Sequence, residues 1–315
     1  MDAIVTVIIP FYNSQKYIHR AIKSLMEQEF NHFKVFLIDD GSTDSGYEQA
    51  VEEISNDQRF KVFHCEHKGV SSARNFALQR LKTRYFTFVD VDDTLSPIHL
   101  KNLVETGLSN KADMIVCGLK YFDQNGKILF QSRLLNSKFN VSEAVDNTFN
   151  KFGMEGVVWN KLFCSQIVKS NSISFDPHLV RFEDHKFVVE YLLKCNNNIV
   201  TIPSNSYYYW QHNSSALLSM SNSLEEDFLP FTQILHLCMH DKRISSKNIN
   251  LEISKSKVDL AISHYRHKKD KLEKEKSIKY LKKNMTVKNI LSTSNYKQRA
   301  IFSFFFLLSK LSPLK

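Results

Sequence analysis

Between Ile4 and Asp93 the chain alternates short β-branched, apolar runs with segments of helical period, a pattern that few folds accommodate. "IVTVIIPFY" (Ile4 to Tyr12) reads as a strand, and Tyr17, Ile18, Ala21, Ile22, Leu25 and Met26 recur at helical spacing after a Ser14 cap. "KVFLIDD" (Lys34 to Asp40) reads as a second strand, "GSTDSG" as a loop and Tyr47 to Ser55 as a helix. "FKVFHC", "VSSARNFALQRL" and "YFTFVDVDD" give a third strand, a helix and a fourth strand. Repeated βα units predict right-handed crossovers and an α/β fold, its mostly parallel central sheet flanked by helices. Ligands bind such sheets beyond the carboxyl ends of the strands. Pro10 to Asn13, Asp39 to Asp44 and Asp90 to Asp93 all lie there, so three polar loops should converge on one edge as a nucleotide-sized site.

"FVDVDDTL" (Phe88 to Leu95) is the most unusual of these strand ends. Asp90, Asp92 and Asp93 repel one another unless donors or a cation offset them, and hard carboxylate oxygens suit Mg²⁺ or Mn²⁺. A helix-capping cluster before "SPIHL" is the alternative for the same residues.

After Leu95 the pattern is mixed. "ADMIVCGLKYF" and "DQNGKILFQ" read as two strands joined by a turn at Asp123 to Gly126. Helices are expected at Ser142 to Asn150, Gly156 to Ser165 and Glu183 to Cys195, followed by a strand pair at Ile199 to Ile202 and Ser206 to Trp210. Beyond about Ser219 the chain reads as helical and rich in Lys, Ser and Asn, which sets a soft boundary between a catalytic domain (1–218) and a helical C-terminal subdomain (219–315).

The 315 residues are 43% hydrophobic and 24% charged, enough to bury a large core, and the net charge of +9 favours an anionic partner. No helix-turn-helix, zinc or RNA-binding signature accompanies that charge, so nucleic acid is not the expected partner. The five cysteines are scattered and lack metal-ligand or disulfide spacing, and no signal peptide precedes the first strand, so a cytoplasmic protein is expected. From Arg266 to Lys283, nine Lys/Arg accompany three Asp/Glu, and an apolar stretch from Ala300 to Leu308 follows. That stretch is shorter than the roughly 20 residues of a spanning helix. It suits either a docked C-terminal helix or a peripheral contact with the inner face of the membrane.

With these motifs located, the chain resembles the bacterial family 2 glycosyltransferases, which are inverting enzymes with the GT-A fold. The resemblance rests on "VTVIIPFYNSQKYIHRAIKSLMEQEF", "LIDDGSTD", "GVSSARNFAL", "FVDVDDTL", "VWNKLF" (Val158 to Phe163) and "FEDHKF" (Phe182 to Phe187), and covers roughly residues 4–215. It implies that the D-x-D element holds Mn²⁺ or Mg²⁺ against the diphosphate of a UDP-sugar. Asp92 would be a direct ligand, Asp90 would support the metal or contact the ribose, Val91 would lie with the nucleotide contacts, and Asp93 would stand behind them. By the same resemblance Asp40 would bind the uracil and Pro10 and Tyr12 would underlie the base. Asp39 would join them or close its own loop with Ser42 and Thr43. Arg74 would pair with a phosphate or orient Asp90, and His212 would add a metal or diphosphate ligand. Asp184 would be the catalytic base and Glu183 its orienting neighbour. Trp159, Asn160 and Trp210 would line a sugar-stacking wall or pack in the core.

The implied activity is transfer of galactose, glucose or an N-acetylhexosamine to a hydroxyl of a bacterial surface glycan or glycoprotein glycan, giving a β-linkage. A nucleotide-sugar-binding protein of the same fold that has lost turnover is the alternative.

Overall fold

The computed structural model describes residues 2–54, 57–150, 154–196, 198–212, 223–268, 270–284 and 303. The apolar tail expected from Ala300 to Leu308 lies almost wholly outside them. The chain packs as two units, one of residues 1–178 and 183–215 and the other of residues 179–182 and 216–315.

In the first unit, β1 (Val5–Phe11), β2 (Phe33–Asp39), β3 (Phe60–His64) and β4 (Tyr85–Phe88) alternate with α1 (Ile18–Met26), α2 (Gly46–Glu53) and α3 (Val70–Leu78). These strands lie side by side in the order β3-β2-β1-β4, and all their pairings are parallel, as the βα alternation predicts. Beyond β4 the sheet is mixed. A two-residue β5 (Thr94–Leu95) precedes α4 (His99–Asn110), and β6 (Met114–Phe122) turns back through Asp123 to Lys127 into β7 (Ile128–Gln131). β8 (Ser137–Phe139) leads to α5 (Val141–Asn147), which starts at a reciprocal cap between Asn140 and Glu143.

The helix expected at Gly156 to Ser165 is not formed. A turn over 157–160 leads instead into β9 (Lys161–Cys164), which runs antiparallel between β4 and β6 before α6 (Ser165–Asn171). The apolar run there is too short for its period to separate strand from helix, and pairing with two neighbours decides it. α7 (Glu183–Leu192) leads to β10 (Ile199–Trp210), a single strand where two were expected, because register shifts around Pro203 to Ser206 keep one ladder on β6. The sheet's core is aliphatic and aromatic, with Val5, Val7, Ile9, Val35, Leu37, Ile115 and Leu162 all fully buried.

The second unit contains α8 (Leu224–Met239), α9 (Ser246–His267) and α10 (Lys271–Asn284). Ser223 and Ser245 cap the first two, each hydroxyl accepting an amide N–H three residues on. Leu224, Val258, Ala261, Ile262 and Leu281 form their core, against which Phe228 and Tyr280 pack. The basic stretch therefore begins at the end of α9 and continues in α10, a helix that buries Ser277 and Leu281. Among the described residues no helix is long and apolar enough to cross a membrane.

Candidate functional site

The loops after β1 and β2 interlock at the carboxyl edge of the sheet. Asn13, at a φ of 47°, turns its side-chain oxygen onto the amide of Thr43 at 2.8 Å, and its own amide donates to the Ser42 hydroxyl. Gly41 has a φ of 73°, and a Cβ there would meet the His67 amide nitrogen at 2.8 Å, so only glycine lets the two chains approach.

Asp39 and Asp40 divide their tasks. Asp39 is fully buried; it accepts the Ser42 amide and hydroxyl and pairs with His64 Nδ1 at 2.6 Å, which makes it the acid that closes its loop. Thr43, expected as its second partner, binds Asn13 instead. Asp40 accepts the amides of Lys68 and Gly69 at 3.0 and 2.9 Å and lies 2.8 Å from His67 Nδ1. Tyr12 is 43% exposed and stacks on the His67 ring at 4.1 Å, while Pro10 is buried near the end of β1. His67 thus joins the expected Tyr12 and Asp40. Its place in a short polar loop carries no periodic signal that would have singled it out.

The three acids after β4 occupy three different environments. Asp93 is buried, accepts the Tyr207 hydroxyl at 2.7 Å and the Trp210 amide at 2.9 Å, and so ties the loop to β10. Burial, then repulsion from Asp92 and Asp90, pushes its carboxyl well above the usual range. Asp90 lies 3.7 Å from the Arg74 guanidinium; burial raises its pKa to about 6, with Arg74 pulling down and Asp92 and Glu183 pushing up. Asp92 is raised by burial and eased by its own amide and by the nearby charges of His212 and Arg20. Val91 is half-buried and packs on the core.

Two residues from elsewhere close around Asp92. Arg20, from α1, donates to its carbonyl and lies 4.3 Å above the Trp210 ring. His212, just after β10, brings Nε2 to 3.5 Å from the same carbonyl and sets its ring against Tyr17 at 4.6 Å. Among the described residues no cluster of His, Cys, Asp and Glu forms a ready-made metal cage. Asp92 and His212 instead supply a carboxylate and an imidazole beside one another. The carboxylate is the kind of hard oxygen donor that suits Mg²⁺ or Mn²⁺, and these two residues would hold such an ion.

The acid pair at the start of α7 faces Arg74 of α3. Arg74 is only 4% exposed, and its Nη1 donates to Glu183 Oε1 at 2.9 Å and to Asp184 Oδ1 at 2.6 Å, while Nη2 points at Asp90. Burial alone would weaken the guanidinium's hold on its proton, but Asp184, Asp90 and Glu183 together outweigh it. Asp184 is pushed well above the carboxylate range by burial; Arg74 opposes this, and Glu183 and Asp90 add to it. Arg74 thus holds carboxylates rather than standing open for a phosphate.

Three further polar residues are buried in this unit. Lys161 is fully buried, donates to the Glu155 carbonyl and to Asn160, and is lowered to about 7 by burial. Asn160 is buried as well and donates to the Cys117 carbonyl, so it is a scaffold residue. His185 hydrogen-bonds Thr148 at 2.8 Å and packs against Gly156, where an added Cβ would collide with the imidazole ring. Gly156→Ala is therefore expected to cost about 1–3 kcal/mol, read as a lowered urea midpoint with an unchanged slope.

Trp159 departs from the sugar-stacking expectation. It is 5% exposed and stacked on Tyr207 at 4.6 Å, inside the core cluster and without a free face. Trp210 is half-buried and is covered by Phe122, stacked at 4.9 Å, and by Arg20.

A parallel βα half that gathers polar loops, extended by a mixed half with an acid pair opposite, defines the GT-A class of fold. The crystal structure of Staphylococcus aureus TarS 1–349 in complex with UDP-GlcNAc superposes with a TM-score of 0.71 at 21% identity, over 98% of this chain and 90% of that one. The Glycosyl transferase family 2 profile matches residues 6–165, and the chain belongs to that family. Among sequence relatives, the poly(ribitol-phosphate) beta-N-acetylglucosaminyltransferase TarS of S. aureus is 29% identical over 266 residues, 81% of this chain and 45% of that protein. Glycosyltransferase GlyG of Streptococcus pneumoniae serotype 4 is 27% identical over 237 residues, 69% of this chain and 74% of that protein. The chain spans half or less of the length of several other curated relatives it matches.

Proposed function

We propose that this chain transfers a hexose or N-acetylhexosamine from a UDP-sugar to a hydroxyl of a bacterial surface glycan or glycoprotein glycan, inverting the donor to a β-linkage. The observation that carries this reading is the buried Arg74 guanidinium, which binds Glu183 and Asp184 directly and faces Asp90. Through it the acid pair of α7 and the D-x-D loop belong to one charged centre. UDP-GlcNAc is the first donor to test, because the structurally similar TarS is seen in complex with it and with UDP.

Tyr12, His67 and Asp40 hold the base at the edge of the parallel strands. Asp92 and His212, supported by Asp90, would hold a divalent ion, which when bound neutralises charge on the departing diphosphate. Asp184 accepts the proton of the acceptor hydroxyl as its oxygen attacks the anomeric carbon. The new C–O bond forms on the face opposite the diphosphate, and UDP leaves with the electron pair of the bond that breaks. Glu183 shares the guanidinium with Asp184 and orients it. We place the protein in the cytoplasm, where its five cysteines, none in a disulfide, stay reduced.

The test is a release assay with Mn²⁺ and each of UDP-galactose, UDP-glucose, UDP-N-acetylglucosamine and UDP-N-acetylgalactosamine, scoring free UDP. One donor is expected to be hydrolysed slowly, and Asp92→Ala is expected to reduce that release at least about a hundredfold. Metal-dependent UDP binding without release of UDP from any donor, even with teichoic acid or lipid-linked acceptors added, would overturn the transferase reading in favour of a binding protein.

A further inference from the structure

The turn that carries the D-x-D element is held from two sides. The Asp93 amide donates to the Asp90 carbonyl at 3.1 Å and closes the turn. Its flanks are anchored on β10. The Asp90 amide donates to the Tyr207 hydroxyl at 3.3 Å, Asp93 takes the Tyr207 hydroxyl and the Trp210 amide, and Trp210 Nε1 donates to the Thr94 hydroxyl at 2.9 Å. The apex is anchored from α1 instead. Arg20 Nη2 donates to the carbonyl of Asp92, and the guanidinium lies 4.3 Å above the ring of Trp210, itself stacked on Phe122. Ile18, Ala21, Ile22 and Leu25 of α1 are fully buried, so Arg20 reaches the loop from a packed helix. Arg74 binds carboxylates, whereas the hydrogen bond of Arg20 goes to a main-chain oxygen.

We infer that Arg20 is a positioning residue for Asp92: by holding the Asp92 carbonyl from α1 it fixes the apex of the turn, and with it the direction in which the Asp92 carboxylate is presented. The inference rests on the reading of Asp92 as a metal ligand. A peptide plane whose carbonyl is pinned cannot swing, and the Cα–Cβ bond of the residue that owns it is confined as a result. Binding the carbonyl has a chemical consequence as well. An arginine paired with the carboxylate would compete with a cation for its oxygens, while one bound to the main chain orders the ligand without competing for them. His212 Nε2 lies 3.5 Å from the same carbonyl, so the apex that Arg20 holds also sets the spacing of the two candidate ligands. With Arg20 removed, the flanks stay on β10 and the apex alone loosens, and outer contacts of this kind are worth about 10–100-fold in metal affinity.

The experiment uses the full chain and compares wild type, Arg20→Ala, Arg20→Lys and Asp92→Ala. Mn²⁺ binding in the presence of UDP is followed by the electron paramagnetic resonance signal of the free ion. Arg20→Ala is expected to weaken Mn²⁺ binding about tenfold or more, and Arg20→Lys, which keeps a donor and a cation on α1, to recover part of the loss. Hydrogen exchange by mass spectrometry, without metal or nucleotide, is expected to show the amides of 91–94 exchanging about fivefold or more faster in Arg20→Ala, with those of Val5–Phe11 unchanged. UDP release by Arg20→Ala is expected to recover toward wild type as Mn²⁺ is raised, which a merely structural loss would not allow. Mn²⁺ affinity within about twofold of wild type in Arg20→Ala overturns the inference, as does faster exchange spread evenly through the sheet. Undiminished Mn²⁺ affinity in Asp92→Ala, or no Mn²⁺ binding by wild type, overturns the metal reading and the inference with it. Exchange at 91–94 tells that failure from the first, because it needs neither ion nor turnover.

Discussion

Asp184→Asn is expected to lower UDP-sugar turnover by about 10²–10⁴-fold, the usual worth of a general base, with donor affinity and folding little changed. The substitution is isosteric and keeps an oxygen for Arg74 Nη1, so the guanidinium is not left without a partner. What it removes is the only protonation change the proposed step requires of the chain. The wild-type pH dependence should report the same group. Burial raises the Asp184 pKa well above the carboxylate range, Arg74 opposes the rise, and a base works only when deprotonated. Activity should therefore climb with pH along a limb of unit slope displaced upward from ordinary carboxylate behaviour, and flatten once Asp184 is ionised. In Asp184→Asn that limb should vanish from the residual rate. A variant that keeps both its rate and its acidic limb would remove Asp184 from the chemistry, and Glu183 would become the group to test.

The parts of this arrangement legible in sequence are those set by local pattern. Strand-to-helix alternation before Asp93 fixes the parallel half of the sheet, and with it the edge where the loops after β1, β2 and β4 meet. The roles of individual acids were much less legible, because they depend on what folds against them. Asp93 and Asp92 are neighbours with the same side chain, yet Tyr207 and the Trp210 amide take up the first, while the second faces His212. Those partners lie more than a hundred residues away, beyond the reach of any periodicity argument. The segment "VWNKLF" shows the same limit: β9 is inserted antiparallel into the middle of the sheet, so Trp159 and Lys161 are buried where a helix over Gly156 to Ser165 was expected. His67 sits in a short irregular segment, and its part in the site comes from ring stacking on Tyr12 and from its contact with Asp40, which sequence spacing cannot reveal.

Arg74→Met is expected to be the most destabilising single change, costing about 3–5 kcal/mol, because it removes the cation that, among the described residues, directly contacts the largely buried acid pair. Methionine fills much of the same volume against Phe175 and Phe88, so the loss would be mainly electrostatic rather than a cavity effect. The pH dependence separates the two causes. Without the guanidinium the folded-state pKa values of Asp90 and Asp184 should rise, since Arg74 lowers both in the native protein. A carboxyl group raised on folding holds its proton in the native state after the unfolded chain has lost it, so stability falls as pH climbs from the unfolded value toward the folded one. In wild type Asp90 already imposes such a decline between its ordinary value of 3.8 and about 6. In Arg74→Met the decline should be steeper and extend to higher pH, so the deficit against wild type is small near pH 4 and full near pH 8. Adding Asp184→Asn should restore part of the lost stability at pH 8, because it removes one of the charges left without a partner. Urea midpoints at the two pH values provide the measurement. A deficit that is the same at both, and that Asp184→Asn does not relieve, would mean that Arg74 contributes packing and that the charged centre joining the acid pair to the D-x-D loop is not held together by its charge.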